Sequence, residues 1–427
     1  MYNPLIRVAK EAIVLLKKYK GLPFEVYILC LGILLTNLGS YIYPLFVFIA
    51  TDYGFDYSDI AIILTLFTLG QIVGTMISGQ LVDRVGRKKT FTLFMFLSGL
   101  VFTLLPFASK YGFVALVIIA TVFSGIARPA ARVMLADLTN QDQRQAALGL
   151  WYMALNVGFS FGPAIGAFLY NINLNILYLG DGITTMLFSL LIMLWVKETM
   201  PSQETIDSHD VKGEKKIDGN IIEVFKQKPE LVYLAVFEVL IIVAFCQFSF
   251  GLPVTTNMLM GNVAGPIVFG VMMTINGVVV TVITPFITTY LQKREGIGMI
   301  ISGILMGIGS VMFGFISSPW LFYLAALVWS CGEAFWIVNA MAYETNHTPI
   351  SHRGRVSTFM HNLVSTMRMG VIFVCGILIE QISLQLYWTI ILGFALISSF
   401  VAVKLTQYNR PVNRIVDENL RAESEPV

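Results

Sequence analysis

Charged residues are scarce in this chain of 427 residues: only 13% are charged, whereas a soluble chain carries roughly a quarter. The near-neutral net charge of +2 comes without any basic patch interleaved with aromatic residues, so we expect no nucleic-acid partner. Hydrophobic residues make up 56% of the sequence. This composition excludes an ordinary soluble domain and indicates a chain made largely of membrane-embedded segments.

Cysteine and histidine are also scarce, with four of each. All four cysteines lie inside apolar segments, which is typical of small hydrophobic side chains packed in helices and not of a disulfide or metal set. The sequence contains no nucleophile–base pair, no clustered metal ligands and no phosphate-binding glycine loop. We therefore predict that the protein is not an enzyme and that it needs no metal and no cofactor.

Long apolar runs separated by short breaks fill most of the chain, and each is long enough to cross the bilayer as a helix. Twelve spans are predicted, over residues 24–50, 60–81, 90–109, 113–137, 147–170, 175–196, 231–253, 265–291, 297–317, 319–345, 356–380 and 385–405. The one long polar stretch, residues 197–230, mixes Lys, Glu, Asp, Ser and Gly, as linkers do.

The sequence therefore predicts an all-α membrane protein with two related halves. Residues 125–137, which end the fourth span, have a counterpart in residues 332–344, which end the tenth, and such weak repeats are typical of two-bundle transporters. The predicted parts are a cytoplasmic N-terminal segment (1–23), a six-helix bundle (24–196), a cytoplasmic linker (197–230), a second six-helix bundle (231–405) and a cytoplasmic tail (406–427).

The distribution of lysine and arginine predicts the orientation of the chain in the membrane. With both termini in the cytoplasm, the great majority of these residues lie in cytoplasmic segments and the outer loops hold only Lys110. The first apolar run is too long for the core of a cleavable signal peptide. We expect a multi-pass protein of the plasma membrane, and the short tails and compact loops favour a bacterial inner membrane. The expected partners are a small-molecule substrate, protons and the lipid bilayer, with the chain acting as a monomer.

The strongest local motif follows the second span. Its members are Gly79, Asp83, Arg84, Gly86, Arg87 and Lys88. A positive-inside loop explains the bases but neither the acid nor the glycines. Glycine permits a tight turn and close helix approach, and Asp83 can accept charge-assisted hydrogen bonds.

This motif resembles the loop of the major facilitator superfamily, and with twelve spans and a central linker the resemblance covers the whole chain. It implies the major facilitator fold of two six-helix bundles. It also implies a cytoplasmic gate, formed by Asp83, Arg84 and Arg87, that stabilises the outward-open state. The equivalent loop of the second half, residues 292–296, is degenerate, so only half of a paired gate is visible.

The fifth predicted span carries small residues at regular spacing. They are Gly149, Gly158, Gly162, Pro163 and Gly166. Three of the glycines stand four residues apart, which gives one smooth helix face for close packing, and Pro163 can bend the helix. Small-residue packing alone is common in membrane helices. The whole pattern resembles the fifth-helix motif of proton-coupled antiporters, with Ala167 in place of the usual last glycine, and it favours antiport.

Acidic side chains inside the spans are the candidates for proton coupling. Glu333 lies within the tenth span among aromatic residues, where desolvation favours the neutral form and suits a proton carrier. Its Gly-Glu sequence also resembles a subset of drug exporters. The alternative is a structural pairing with one of the intramembrane arginines, Arg128, Arg132 or Arg368.

Three further acids are proton-coupling candidates. Glu238, in the seventh span, lies about two turns from the inner end. Asp181, in the sixth, lies about two turns from the outer end, where anchoring a loop is an equal alternative. Asp137, at the cytoplasmic end of the fourth span, fits the gate better than the substrate cavity.

Polar and aromatic residues within the spans are the candidates for lining a broad cavity. They are Asn37, Tyr41, Arg128, Gln247, Asn276 and Trp336. Arg128 and Arg132 lie four residues apart on one helix face. Arg128 could hold a coupling carboxylate, contact an anionic substrate or belong to a buried structural pair.

The sequence thus predicts a secondary active transporter that works by alternating access, with proton-coupled efflux of hydrophobic or amphipathic drug-like compounds. The resemblance to the multidrug antiporter group carries the efflux part. One alternative keeps the fold and changes the cargo to a sugar, a lysolipid or another metabolite. A second alternative, a membrane sensor that does not transport, would predict large soluble appendages or an erased gate motif.

Overall fold

The computed structural model describes residues 21–200, 221–291, 294–348 and 353–424. These ranges form helices and short connections, without a β-strand. The α-helices, in chain order, are α1 (Phe24–Leu38), α2 (Phe46–Asp52), α3 (Tyr57–Arg84), α4 (Arg87–Leu104), α5 (Lys110–Asp137), α6 (Gln141–Ile172), α7 (Leu174–Trp195), α8 (Ile221–Gln227), α9 (Pro229–Phe245), α10 (Gly251–Tyr290), α11 (Glu295–Phe315), α12 (Pro319–His347), α13 (Arg353–Gln381) and α14 (Leu384–Ser424).

Ten helical segments in the described ranges are long and apolar enough to cross a membrane, and α1 is a shorter apolar helix of 15 residues. The longest segment, Pro229–Thr288, has 60 residues and runs from the start of α9 into α10. As one straight helix it would measure about 90 Å, roughly three times the hydrocarbon thickness of a bilayer. The backbone leaves the helical region within it at Gly261 (φ 72°, ψ −177°), so α10 consists of two helical stretches. The protein is therefore a multi-pass membrane protein, and the helices are consistent with twelve spans.

The helix surfaces are apolar as well. Large hydrophobic side chains in the middle of helices, such as Met76, Phe168 and Phe400, are exposed. A soluble monomer rarely presents so much apolar surface to water. In a bilayer these faces contact acyl chains, which are as apolar as the side chains themselves.

The first predicted span, residues 24–50, is interrupted in the structure. Helix α1 ends at Leu38 and α2 begins only at Phe46. Pro44 lies in the gap; it has no amide hydrogen to donate, and it disfavours helical geometry at the preceding residue. The amide hydrogens of Tyr41 and Ile42 are instead donated to the carboxylate of Asp181, over 2.9 and 3.0 Å. The break therefore has its own hydrogen-bond acceptor inside the protein, as irregular backbone at membrane depth requires.

The chain forms two compact units. One contains residues 1–53 and 63–210, and the other contains residues 54–62 and 211–427. The start of α3 belongs to the second unit because Ser58 donates its amide hydrogen to Glu380 of α13 over 3.1 Å and its hydroxyl to the same carboxylate.

The core of the first unit lies between α1, α4, α5, α6 and α7. Phe91 of α4 meets Phe188 of α7 with ring centroids 4.7 Å apart and planes inclined by 67°. Such an edge-to-face pair is favourable beyond the area that it buries. It fixes the distance between α7 and α4, which begins with Arg87 and Lys88 of the gate motif.

The second unit has an aromatic core. Trp388 of α14 lies 5.2 Å from Phe313 of α11, and its indole nitrogen donates to Thr255 of α10 over 3.0 Å. Burying an indole requires such a partner for its N–H group. These contacts join α14 to α11 and to α10.

Candidate functional site

Glu333 of α12 is buried and has a polar partner on a neighbouring helix. The side-chain amide of Asn276, on α10, donates to the Glu333 carboxylate and, over 3.0 Å, to the hydroxyl of Ser330. Asn276 and Ser330 are buried too. Two residues that the sequence indicated separately, Glu333 and Asn276, are therefore brought together within the second unit.

Glu238 of α9 has a partner on the same helix as Glu333. The indole nitrogen of Trp336 donates to the Glu238 carboxylate over 3.2 Å. Because Trp336 lies three residues after Glu333, the two side chains stand on neighbouring positions of the α12 surface. One turn of α12 therefore contacts both intramembrane acids of this unit, one as its own residue and one through the indole.

A ladder of aromatic rings runs beside these acids. Trp336 contacts Phe245 with centroids 4.9 Å apart, Phe245 lies 6.1 Å from Trp329, and Trp329 stacks on Phe248 at 4.7 Å. We refer to these four residues as the aromatic ladder. Such rings offer large apolar surfaces and polarisable faces to an organic ligand.

Gln247 lies in a closed hydrogen-bond cluster. Its side-chain nitrogen donates to the carbonyl of Val243 over 2.8 Å and to the sulfur of Cys375 at 3.3 Å, and its oxygen accepts from the hydroxyl of Tyr387. This cluster joins α9, α13 and α14 and satisfies both ends of the amide. The environment is that of a structural polar group in the core.

In the first unit, the glycine motif of α6 packs against α1 and the break that follows it. A methyl group added at Gly162 would overlap the carbonyl oxygen of Asn37, and one added at Gly166 would lie 2.8 Å from the ring of Tyr41. The sequence indicated a smooth face for close packing, and the structure identifies its partner. Asn37 and Tyr41 are therefore held at the surface of the motif, next to the break that Asp181 stabilises.

The end of the first unit that carries the gate motif contains an ion pair. The Arg87 guanidinium lies 3.2 Å from the carboxylate of Asp137, at the end of α5. Asp137 also accepts a hydrogen bond from the hydroxyl of Thr199 over 3.1 Å. Arg84 ends α3 with an exposed side chain, whereas the side chain of Asp83 lies outside the described part of the structure. Asp137 is thus paired with a base of the gate motif.

Glu198, just after α7, completes this cluster and was not predicted from the sequence. Its carboxylate accepts the amide hydrogens of Arg87 at 2.9 Å and Lys88 at 3.3 Å, at the start of α4. Partial burial opposes ionisation, but the four backbone donors Lys88, Met200, Arg87 and Thr199 outweigh it, and the pKa of Glu198 is lowered. The available signal was an acid placed directly after a span and opposite a basic loop.

Gly86 makes the approach of Glu198 feasible. Its backbone (φ 108°, ψ 155°) lies in a region essentially restricted to glycine, and an added methyl group would stand 2.5 Å from a carboxylate oxygen of Glu198. Gly79 is different, since it is helical and a methyl group there would meet nothing within 4 Å. Glycine is therefore required at Gly86 by backbone geometry and the contact with Glu198, whereas neither factor requires it at Gly79.

No group of three or more potential metal ligands occurs among the residues that the structure describes. The chemistry available to the two units consists of carboxyl groups that can bind protons, arginines and aromatic surfaces. It suits binding and proton exchange.

Comparisons with known proteins agree with this picture. The sequence profile of the Major Facilitator Superfamily matches residues 29–371. The Na(+), Li(+), K(+)/H(+) antiporter of Planococcus maritimus is 24% identical over an alignment of 389 residues that covers 83% of this chain and 89% of that protein. Multidrug resistance protein 2 of Bacillus subtilis (strain 168) is 26% identical over 191 residues, 44% of this chain and 46% of that protein.

Solved structures show the same fold. A crystal structure of a POT family transporter in complex with a thioalcohol-conjugated peptide superposes with a TM-score of 0.72 over 92% of this chain and 99% of that chain. The sequence identity is 13%, so this likeness concerns the fold alone.

Proposed function

Because the chain belongs to the major facilitator superfamily, and is therefore a membrane transporter of small molecules, we propose that it exports amphipathic compounds in exchange for protons. The family and fold are those of transporters, not of enzymes. The observation that carries the proposal is the pair of intramembrane acids, Glu333 and Glu238, bound by Asn276 and Trp336 beside the aromatic ladder.

Glu333 is the proposed principal proton carrier. A buried carboxylate is costly without compensating partners, and proton binding removes that cost. Asn276 offers a single amide group to Glu333, and no cationic side chain lies within 4.0 Å of the carboxylate in the described part of the chain. The acid can therefore gain and lose a proton without breaking an ion pair.

Glu238 is the proposed second carrier, or the group that senses the first. Its partner Trp336 also contacts the aromatic ladder, so a ligand that displaces the indole would alter the environment of the carboxylate. Competition between ligand and proton for the same surroundings is what exchange requires. Transport then follows when the binding site is exposed alternately to the two sides of the membrane.

The gate is proposed at the cytoplasmic end of the first unit. Arg87 pairs with Asp137, while Glu198 holds the start of α4. Protonation or displacement of one of these carboxylates would weaken the cluster and permit the inward-open state. The cytoplasmic placement rests on the distribution of lysine and arginine and remains part of the proposal.

The names of two relatives support the proposal, one its exchange with protons and the other its organic cargo. The antiporter from Planococcus maritimus is described as exchanging monovalent cations for protons, and the Bacillus subtilis protein as a multidrug resistance protein. The first matches along most of the chain, so exchange of an alkali cation for a proton is the second candidate function. The carboxylate and amide oxygens around Glu333 are suitable cation ligands, whereas the aromatic ladder favours an organic ligand.

Transport by reconstituted protein decides between these functions. Purified protein in liposomes is given an imposed pH gradient, and the lumenal pH is followed while sodium or one of three fluorescent amphiphiles (cationic, neutral and anionic) is added. We expect an amphiphile to be transported and to dissipate the gradient with wild-type protein. Glu333→Gln should abolish the proton movement, whereas Glu25→Gln, at the start of α1, should not.

Each alternative has its own result. Proton movement driven only by sodium would replace efflux with cation exchange. Coupled transport that survives in Glu333→Gln but fails in Glu238→Gln would exchange the roles of the two acids. Gradient-independent movement of an amphiphile would refute proton coupling, provided that thermal unfolding shows the protein to be folded.

A further inference from the structure

Two arginines in the first unit form no ion pair within 4.0 Å in the described part of the chain. Arg128 and Arg132 lie one turn apart on α5, and both side chains are exposed. The ion pairs in the described ranges include those of Arg87 with Asp137 and of Lys228 with Glu230, and Arg128 and Arg132 belong to neither. Like charges at this spacing repel each other, so the pair is unfavourable unless an anion comes between them.

The two arginines lie on the side of α5 opposite its exposed apolar face. Ile119 is exposed, and it precedes Arg128 by about two and a half turns, which puts the two residues on opposite sides of the helix. An arginine facing hydrocarbon is unfavourable, and arginines in membrane-spanning helices face the bundle interior or water-filled cavities instead. The exposed arginines, opposite an apolar face, therefore identify the water-facing side of α5.

The nearest acid cannot neutralise the pair. Asp181 interacts electrostatically with Arg128, but its carboxylate already accepts the amide hydrogens of Tyr41 and Ile42. Releasing it would leave the break after α1 without its acceptor. Two positive charges thus face one negative charge that is committed elsewhere.

We propose that Arg128 and Arg132 form a binding site for the anionic group of an amphipathic ligand, a carboxylate, sulfonate or phosphate. Guanidinium groups donate paired hydrogen bonds to such groups and keep their charge at every physiological pH. Tyr43, exposed and electrostatically linked to Arg128, offers a ring and a hydroxyl beside the same site. The ligand's apolar body would lie along the water-facing side of α5.

This inference rests on the proposed function in one respect, because it names the chemical class of the exported compound. The acids of the second unit would carry protons, and the arginines of the first unit would recognise the substrate. A substrate with an anionic group then differs from the organic cations that intramembrane acids alone would favour.

Binding measured without a gradient tests the site by itself. The protein is placed in nanodiscs of phosphatidylcholine and titrated with dansyl-undecanoate or with dansyl-undecylamine, which share a fluorophore and an apolar chain but have opposite charge. Energy transfer from tryptophan to dansyl reports binding. We expect Arg132→Gln to weaken binding of the anionic probe about tenfold, as loss of one charge-assisted contact implies, and to leave the amine unaffected.

The controls separate charge from folding. Arg132→Lys should recover part of the affinity, Arg128→Gln should resemble Arg132→Gln, and Lys110→Gln, a cation at the other end of α5, should bind like wild type. Equal losses for both probes, or no loss for either, would overturn the site. Displacement of the anionic probe by phosphatidylglycerol would identify the ligand as a lipid headgroup, and its failure to compete would identify a dissolved amphiphile.

The outcomes are independent of those for the proposed function. Selective loss of anion binding in the variants stands even if no proton exchange is found. Conversely, proton-coupled transport of a cationic or neutral amphiphile, together with unchanged anion binding in the arginine variants, would retain the function and discard this site.

Discussion

The indole nitrogen of Trp336 lies 3.2 Å from the carboxylate of Glu238, and the same indole packs against Phe245. One side chain therefore joins an ionisable group to an aromatic surface. The hydrogen bond depends on the nitrogen, whereas the packing depends on the ring. Substitutions can separate the two contributions.

Trp336→Phe keeps a ring in this place and removes the donor. Leaving a buried acceptor without its partner costs about 1–3 kcal/mol, so we expect a lower thermal unfolding temperature and weaker proton coupling. Trp320→Phe, at an exposed position near the start of the same helix, is the control and should behave like wild type. Equal unfolding temperatures for the two variants would mean that the hydrogen bond contributes no stability.

The two glycines of the gate motif should respond in opposite directions to alanine. Gly86→Ala forces a methyl group into backbone geometry that is essentially restricted to glycine, and against Glu198, so the free energy of unfolding should fall by about 1–3 kcal/mol. Gly79→Ala, in a helix with open space around it, should stabilise the protein by up to about 1 kcal/mol. Thermal unfolding followed by tryptophan fluorescence measures both. A loss of stability in Gly79→Ala would contradict the conclusion that Gly79 lies in a helix with open space around it.

The lowered pKa of Glu198 predicts how its contribution to stability depends on pH. A carboxyl whose pKa is lower in the folded state stabilises the fold above its ordinary pKa of 4.5 and loses that effect as the pH falls through the folded value. The unfolding temperatures of wild type and Glu198→Gln should therefore differ at neutral pH and converge below pH 4.5. Lys197→Gln, which leaves the carboxyl in place, should retain the pH dependence of wild type. A gap between wild type and Glu198→Gln that persists at low pH would show that ionisation is not the cause.

The packing of α6 on α1 predicts a fourth contrast between two variants. At Gly162 an added methyl group would overlap the Asn37 carbonyl oxygen, and overpacking of this kind costs about 1–3 kcal/mol. We expect Gly162→Ala to lower both the unfolding temperature and the transport rate. Gly393→Ala, in α14 with nothing near the added group, is the matched control: it should leave the transport rate unchanged and should not lower the unfolding temperature. Normal transport by Gly162→Ala would mean that α1 and α6 need no close contact.

Local sequence patterns were sufficient for the membrane class and the family. Apolar runs and the gate motif depend on neighbours within one helix or one loop, so they can be read along the chain. The interruption of the first span was harder to predict. Gly39 and Pro44 were visible, but an apolar run of normal length conceals a break whose hydrogen-bond acceptor, Asp181, lies about 140 residues away.

The partners of individual side chains could not be predicted from the sequence either, because they too lie far apart along the chain. Glu333 was identified from its position in an apolar run. Its partner Asn276 lies on another helix, 57 residues away along the chain. Glu198 was missed because its function depends on the positive φ of Gly86, which brings the start of α4 against the end of α7. No local pattern encodes that approach.

The sequence by itself determined that this protein lies in the membrane, which family it belongs to and which residues carry charge there, because hydrophobicity and charge act through each residue's own transfer energy. Only the tertiary structure decided which of these charges are matched. It bound Asp181 to the break after α1, paired Asp137 with Arg87 and gave Arg128 and Arg132 no ion pair within 4.0 Å in the described ranges. Pairing depends on distances of a few ångströms between helices, which packing sets and composition does not.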